Sequence, residues 1–291
     1  MATTREIQLR IKSVTGTQQI TKAMKLVSTA KLQKIRGVQE ANKPYFRSVY
    51  ETMCSIIAAS EDCVRNSALL NDDIKADGKA AYLLITGDRG LAGGYNANIC
   101  RLLERSIEDK EKALIVTVGK RGREYFTRRG YQMGEHFEIR SSLPNYNEVS
   151  RIVDSFTALK TEGTVDTLYV VYTAFINTIS QKPTILKLLP ISTEEIPEPE
   201  DKSKMSMMNY EPDEDEVLKY IVPKYISGVV FGSLAESFAS EEGARMTAMD
   251  SATDNAEEIV QHLTLQYNRA RQGHITQELT EIVNGAAALE Q

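Results

Sequence analysis

The chain has 291 residues, 42% of them hydrophobic and 26% charged, with a formal net charge of −5 at neutral pH. That is enough apolar material for one or two packed domains. No stretch approaches the roughly 18 uninterrupted apolar residues of a membrane span. The N-terminus carries neither a secretory signal nor an Arg- and Ser-rich transit pattern, so the mature protein is expected to begin at or near Met1.

The net charge conceals an asymmetry. From Met1 to Arg47 there are ten Lys or Arg against Glu6 and Glu40, whereas 192–216 holds ten acids against Lys202 and Lys204. The basic segment falls in a stretch, about 3–59, with little turn chemistry and one proline, Pro44, expected to kink or interrupt a helix. Its apolar stripe is read as Ile7, Ile11, Val14, then Ile20, Met24, Val27, then Ile35, Val38. Steps of six and eight residues break a strict heptad, so the seam is expected to drift around the helix.

A run of alternating strands and helices follows. Segments 80–86 (AAYLLIT), 113–118 (ALIVTV) and 167–174 (TLYVVYTA) are apolar, bounded by Gly or Asp, and predict buried strands. Helical patterns at 96–109, 120–129 and 147–160 point to an open, mostly parallel sheet, with 184–189 as a further edge strand. The glycine-rich turn Gly87-Asp-Arg-Gly-Leu-Ala-Gly-Gly94 stands where a phosphate would bind, yet it has neither G-x-G-x-x-G nor G-x-x-x-x-G-K-[ST] spacing. It reads as a tight strand-to-helix turn. Gly119-Lys-Arg-Gly122 could hold an anion through Lys120 and Arg121, but it too reads as a surface turn.

The acidic, Pro- and Met-containing stretch 192–216 reads as an exposed linker. Beyond Pro223 there is no further proline, and Arg245, Met249, Ala252, Ala256, Ile259, Leu263, Gln266 and Ala270 repeat at steps of four and three. A helix over 227–286 would be on the order of 90 Å long. Its small seam residues Ala252, Ala256 and Ala270 would admit a close partner helix, for which the N-terminal stripe is the candidate. The domain expectation is therefore an N-terminal coiled-coil helix over 1–60, an α/β domain over 75–190, a linker over 191–216, and a C-terminal helix over 217–291 that pairs with the first.

No catalytic constellation emerges: there is no H-E-x-x-H, no G-x-S-x-G, and no histidine beside a cysteine or serine in a nucleophile motif. Cys54, Cys63 and Cys100 form no C-x-x-C pair and lie far from His136, His262 and His274, against a zinc site. No cofactor or metal is expected. A nucleotide-binding Rossmann-type module with coiled-coil dimerisation arms is the alternative; a nucleic-acid scaffold is disfavoured because the basic helix lacks interleaved aromatics before Tyr45 and Phe46.

Three motifs carry a resemblance. The segment Ile275-Thr-Gln-Glu-Leu-Thr-Glu-Ile-Val-Asn-Gly-Ala-Ala-Ala288 looks like the C-terminal signature of ATP synthase gamma subunits, with Ile275, Thr276, Glu278, Glu281, Gly285 and Ala286 on the pattern. Arg10-Ile-Lys-Ser-Val, Thr17 and Ile20-Thr-Lys-Ala-Met-Lys-Leu-Val-Ser-Thr-Ala-Lys-Leu32 resemble that family's first helix, and Thr86 to Asn96 resembles its first strand-turn-helix. The resemblance implies a long antiparallel coiled coil plus a Rossmann-like α/β domain, acting as a non-catalytic rotor shaft. The implied partners are an alpha-beta hexamer, an epsilon subunit and a membrane c-ring, at the cytoplasmic face of a bacterial membrane. By the same resemblance Met24, Lys25, Arg245, Arg271, Gln272, Thr276 and Glu278 would lie where shaft and hexamer meet, with Arg245 and Gln272 toward an acidic catch loop of a beta subunit. The seam would hold Ile11, Val14, Ile20, Met24, Val27, Met249, Ala252, Ala256, Ile259, Leu263 and Ala270. The redox-switching cysteine pair of the family's plant chloroplast members has no counterpart in 192–216.

Overall fold

The computed structural model describes residues 3–59, 78–139, 143–190 and 214–289; Cys63 and nearly all of the acidic stretch lie outside them. The elements are α1 (Thr4–Ala59), β1 (Ala80–Ile85), α2 (Tyr95–Ser106), a 3-10 turn (Lys110–Lys112), β2 (Ala113–Val118), α3 (Lys120–Thr127), β3 (Gln132–Phe137), α4 (Tyr146–Thr161), β4 (Thr167–Phe175), β5 (Gln181–Leu189) and α5 (Glu214–Leu289). Two compact units result, one of residues 29–245 and one of 1–28 with 246–291, so the boundaries fall inside the long helices and not at their ends.

The larger unit is built on a five-stranded sheet in the order β3-β2-β1-β4-β5. β1 runs parallel to both β2 and β4, β3 is parallel to β2, and β5 closes the other edge antiparallel to β4. Both faces are covered, which explains why β1, β2 and β4 read as continuous apolar runs instead of alternating ones. On one face Ala81, Leu83, Ile85, Val116 and Val170 pack with Ile152 and Phe156 of α4, Met53 and Ile56 of α1, and Val222, Ile226 and Val230 of α5. On the other, Leu84, Ile115 and Val171 meet Ile99 and Leu103 of α2 and Phe126 of α3. Strand β3 went unread in the sequence because its Gln-Met-Gly-Glu-His-Phe run is half polar, as suits an edge with only one neighbour.

Neither helix proline ends its helix. α1 is helical through Pro44, so the proline does not interrupt it, and α5 begins at Glu214 and continues through Pro223. A helix-interior proline costs about 3 kcal/mol. Here burial on both sides offsets it, with Leu32, Ile35, Met53 and Ile56 flanking Pro44 and Val222 and Ile226 flanking Pro223. Side-chain caps fix two starts. Thr3 and Glu6 exchange hydrogen bonds at the head of α1, and Asn145 with Glu148 forms a capping box on α4.

The smaller unit consists of the first turns of α1 and the last part of α5, lying antiparallel. The hydroxyls of Thr21 and Thr253 are hydrogen-bonded at 2.7 Å, and the Lys25 ammonium pairs with Asp250.

Candidate functional site

The sheet's carboxyl edge, where an open α/β sheet would receive a ligand, is closed by the chain's own groups. The amide of Gly122 donates to Thr86 Oγ1 at 2.9 Å, that of Arg121 to the Gly87 carbonyl at 3.2 Å, and that of Lys120 to Asp88 Oδ1 at 3.0 Å. These are the first-turn donors of α3, the groups a phosphate would use. Gly119, at φ +90°, is needed because a β-carbon there would run into the Thr86 carbonyl. In the first glycine turn the Gly87 amide donates to Asn96 Oδ1 at 2.9 Å, and a β-carbon on Gly87 would lie 2.6 Å from Glu241 Oε1. A carboxylate of α5 thus occupies the space above the turn.

That carboxylate belongs to a buried charge cluster. Arg245 pairs with Glu241 through Nη2 and with Glu242 through Nη1 at 2.9 Å, and Lys31 Nζ stands 3.4 Å from Glu242 Oε1. The Arg245, Glu241 and Glu242 side chains are only 9%, 14% and 10% exposed. Burial pushes the Glu241 carboxyl above its ordinary value, and Arg245 opposes the shift. α5 also ties itself to the end of β4: Thr173 N–H donates to Ser237 Oγ at 3.0 Å and Ser240 Oγ donates to the Thr173 carbonyl at 2.9 Å. Arg245, which the resemblance put at the contact with a hexamer, is 9% exposed in this chain and paired with two glutamates of its own helix.

In the coil, the buried face of α1 passes through Ile7, Ile11, Val14, Gln18, Thr21, Lys25 and Ser28, steps of four and three without a break. Ile20 and Val27, expected on the seam, are 62% and 55% exposed. The sequence reading followed apolar residues only, whereas the helix repeat carries polar Thr21 and Ser28 into the interface, at 8% and 2% exposure. On α5 the face runs Met249, Thr253, Ala256, Val260, Leu263, Tyr267 and Ala270; Ile259 lies beside it, 49% exposed, and Ala252 is half-buried. Admitting Thr and Lys to the heptad would have found this register, with Asp250 as the partner of Lys25.

Of the other singled-out residues, Met24 is half-buried, and Arg271, Gln272, Thr276 and Glu278 are all exposed. Thr276 Oγ1 donates to the Gln272 carbonyl at 2.9 Å, and Glu278 lies 3.2 Å from His274. Every residue from 271 to 284 is exposed, including Ile275, Leu279, Ile282 and Val283. Cys54 and Cys100 are free and buried, and His136 bonds Thr117 through Nδ1 at 2.9 Å. Among the described residues no cluster of metal-ligating side chains occurs and no helix is long and apolar enough to cross a membrane.

Residues 3–289 match the family profile described as ATP synthase. The chain is 46% identical to the sodium-ion-specific ATP synthase gamma chain of Acetobacterium woodii and 45% identical to the ATP synthase gamma chain of Alkaliphilus metalliredigens, in each case over 98% of both chains. Among solved structures, it resembles a rotor chain of the Euglena gracilis mitochondrial ATP synthase with a TM-score of 0.65 at 20% identity, covering 94% of this chain and 98% of that one. That likeness concerns the fold.

Proposed function

The chain belongs to the ATP synthase gamma-chain family, and from that premise we propose that it works as the central shaft of the rotary complex. It couples turning of a membrane c-ring to conformational change at the catalytic sites of an alpha-beta hexamer and catalyses nothing itself. The observation that carries this reading is the outward apolar surface of the coil. Leu9, Ile20, Leu26 and Val27 on α1, with Ile275, Leu279, Ile282 and Val283 on α5, are between 47% and 68% exposed. Exposed apolar residues along a rod mark a surface that another protein covers.

Contact with the hexamer falls to Met24, Arg271, Gln272, Thr276 and Glu278, whose side chains lie on the same stretches. Lys25 serves chiefly the coil, through Asp250. Polar contacts at such exposed positions are each worth about 0–1 kcal/mol, weak enough to be broken and remade as a shaft turns. The α/β unit stands toward an epsilon subunit and the ring, and the complex lies at the cytoplasmic face of a bacterial membrane, where this subunit is peripheral.

The test is reconstitution of purified alpha and beta subunits with and without the chain, followed by ATP hydrolysis rate and complex mass. One copy per hexamer and a large change in rate are expected. No association and no rate change would overturn the reading.

A further inference from the structure

A groove of about 920 Å³ opens in the larger unit between α1, α5 and the turn that joins β4 to β5. Its walls include the aromatic rings of Phe46, Tyr50, Phe175, Tyr225 and Phe231. The rings of Phe46 and Phe231 lie 5.5 Å apart at 40°, so their faces are splayed and not stacked shut. Of the two carboxylates that line it, Glu40 stands 3.9 Å from Arg36, which leaves Glu236. It accepts a hydrogen bond from the Phe175 amide and lies near Tyr172, and burial lifts its carboxyl above the ordinary value.

No cation of the described residues neutralises Glu236. Three basic side chains also line the groove: Arg47 pairs with Glu51 at 2.7 Å, Arg36 stands 3.9 Å from Glu40, and Lys43 is exposed. At Glu236 itself an anionic group would meet like charge, and a neutral one would leave the carboxylate without an ionic partner. Aromatic faces, by contrast, attract cations through the ring quadrupole. Arg36 already places its guanidinium 6.0 Å over the Phe175 ring at the groove. The floor is open because Gly232 contributes no side chain, and a β-carbon there would meet nothing within 4 Å.

We propose that this groove binds a hydrophobic organic cation, with its ammonium group on Glu236 and its apolar body against Phe46, Phe175 and Phe231. Concave, mostly apolar sites with one or two fixed polar groups are the usual form of small-molecule pockets. The assignment is independent of the rotor reading, since every lining residue belongs to residues 29–245.

The test is calorimetric titration of the full chain with phenylbutylammonium and with phenylbutanol, the same body without the charge. The amine is expected to bind at least about tenfold more tightly than the alcohol. Glu236→Gln keeps an acceptor for the Phe175 amide and is expected to bring the amine down to the alcohol's affinity. Gly232→Leu adds bulk where a β-carbon meets nothing within 4 Å and is expected to remove binding of both, with helix content retained. Equal affinities for the two probes, absence of binding up to about millimolar concentration, or an amine preference that survives either substitution would each overturn the proposal.

Discussion

The Asp88 carboxylate accepts the backbone amide of Lys120 at 3.0 Å, so a residue from the turn after β1 caps the helix that follows β2. Thr86 and Gly87 take the next two amides of that helix. The glycine turns therefore knit two adjacent strand-helix units together, and the donors that could have held a phosphate are spent on this. Loss of an N-cap acceptor typically costs about 1 kcal/mol. Asp88→Ala is expected to lower stability in urea by about that amount, with Asp88→Asn recovering most of it.

Gly87→Ala sets a methyl group against the Glu241 carboxylate, which Arg245 and burial hold in place. Overpacking of this kind costs typically about 1–3 kcal/mol. The two positions touch, so their effects should not add: pairing Gly87→Ala with Glu241→Gly is expected to cost less than the two single changes together. Strict additivity in a double-mutant cycle would mean that the carboxylate moves aside freely.

The coil gives a sharp contrast between neighbours. Leu263 is 7% exposed and Ile259 49%. Leu263→Ala is expected to destabilise the coil by about 2–5 kcal/mol, while Ile259→Ala should stay within about 0.5 kcal/mol of the parent. Thermal unfolding followed by helix content would rank them, and equal, large costs at the two positions would restore the register that puts both on the seam.

Ile20 and Val27 stand one heptad apart on the outer face of α1, exposed in the isolated chain. Ile20→Ser with Val27→Ser is expected to leave thermal stability almost unchanged while weakening the chain's effect on ATP hydrolysis by reconstituted alpha and beta subunits. A fall in stability without any change in that assay would assign the two residues to the fold instead.

Glu236 supplies a pH dependence with a definite sign. Burial raises its folded pKa above the ordinary 4.5, so the folded chain holds that proton more tightly than the unfolded one. By linkage, its contribution to stability is fully present below about 4.5 and is lost as pH rises through the folded value. Melting temperatures of the parent relative to Glu236→Gln should therefore fall as pH rises from about 4 toward 7. A constant difference across that range would show that the carboxyl titrates as if exposed.

The α/β unit was largely legible because β1, β2 and β4 are buried on both faces and so spell uninterrupted apolar runs, and β5 was placed at the edge with its start three residues late. Strand β3 was not, since Gln132, Glu135 and His136 give it no such run. The coil's existence was legible and its register only in part. Lys25 and Thr21 sit on the buried face because their polar ends find Asp250 and Thr253, and only the paired structure supplies those partners. The 4-3 repeat began at Arg245, but it could not name the partners of that charge: Glu241 and Glu242 precede the repeat and close on it only in the folded helix.

Those polar pairs in the coil bear on mechanical load. An all-apolar seam repeating every seven residues tolerates sliding by one repeat, since each knob then finds an equivalent hole. A slide of that length moves one helix about 10 Å along the other. It would strand the Lys25 ammonium away from Asp250 and the Thr21 hydroxyl away from Thr253, within a surface that no longer answers them. The two pairs act as teeth in an otherwise smooth joint, so that torque winds the helices instead of letting one slip past the other.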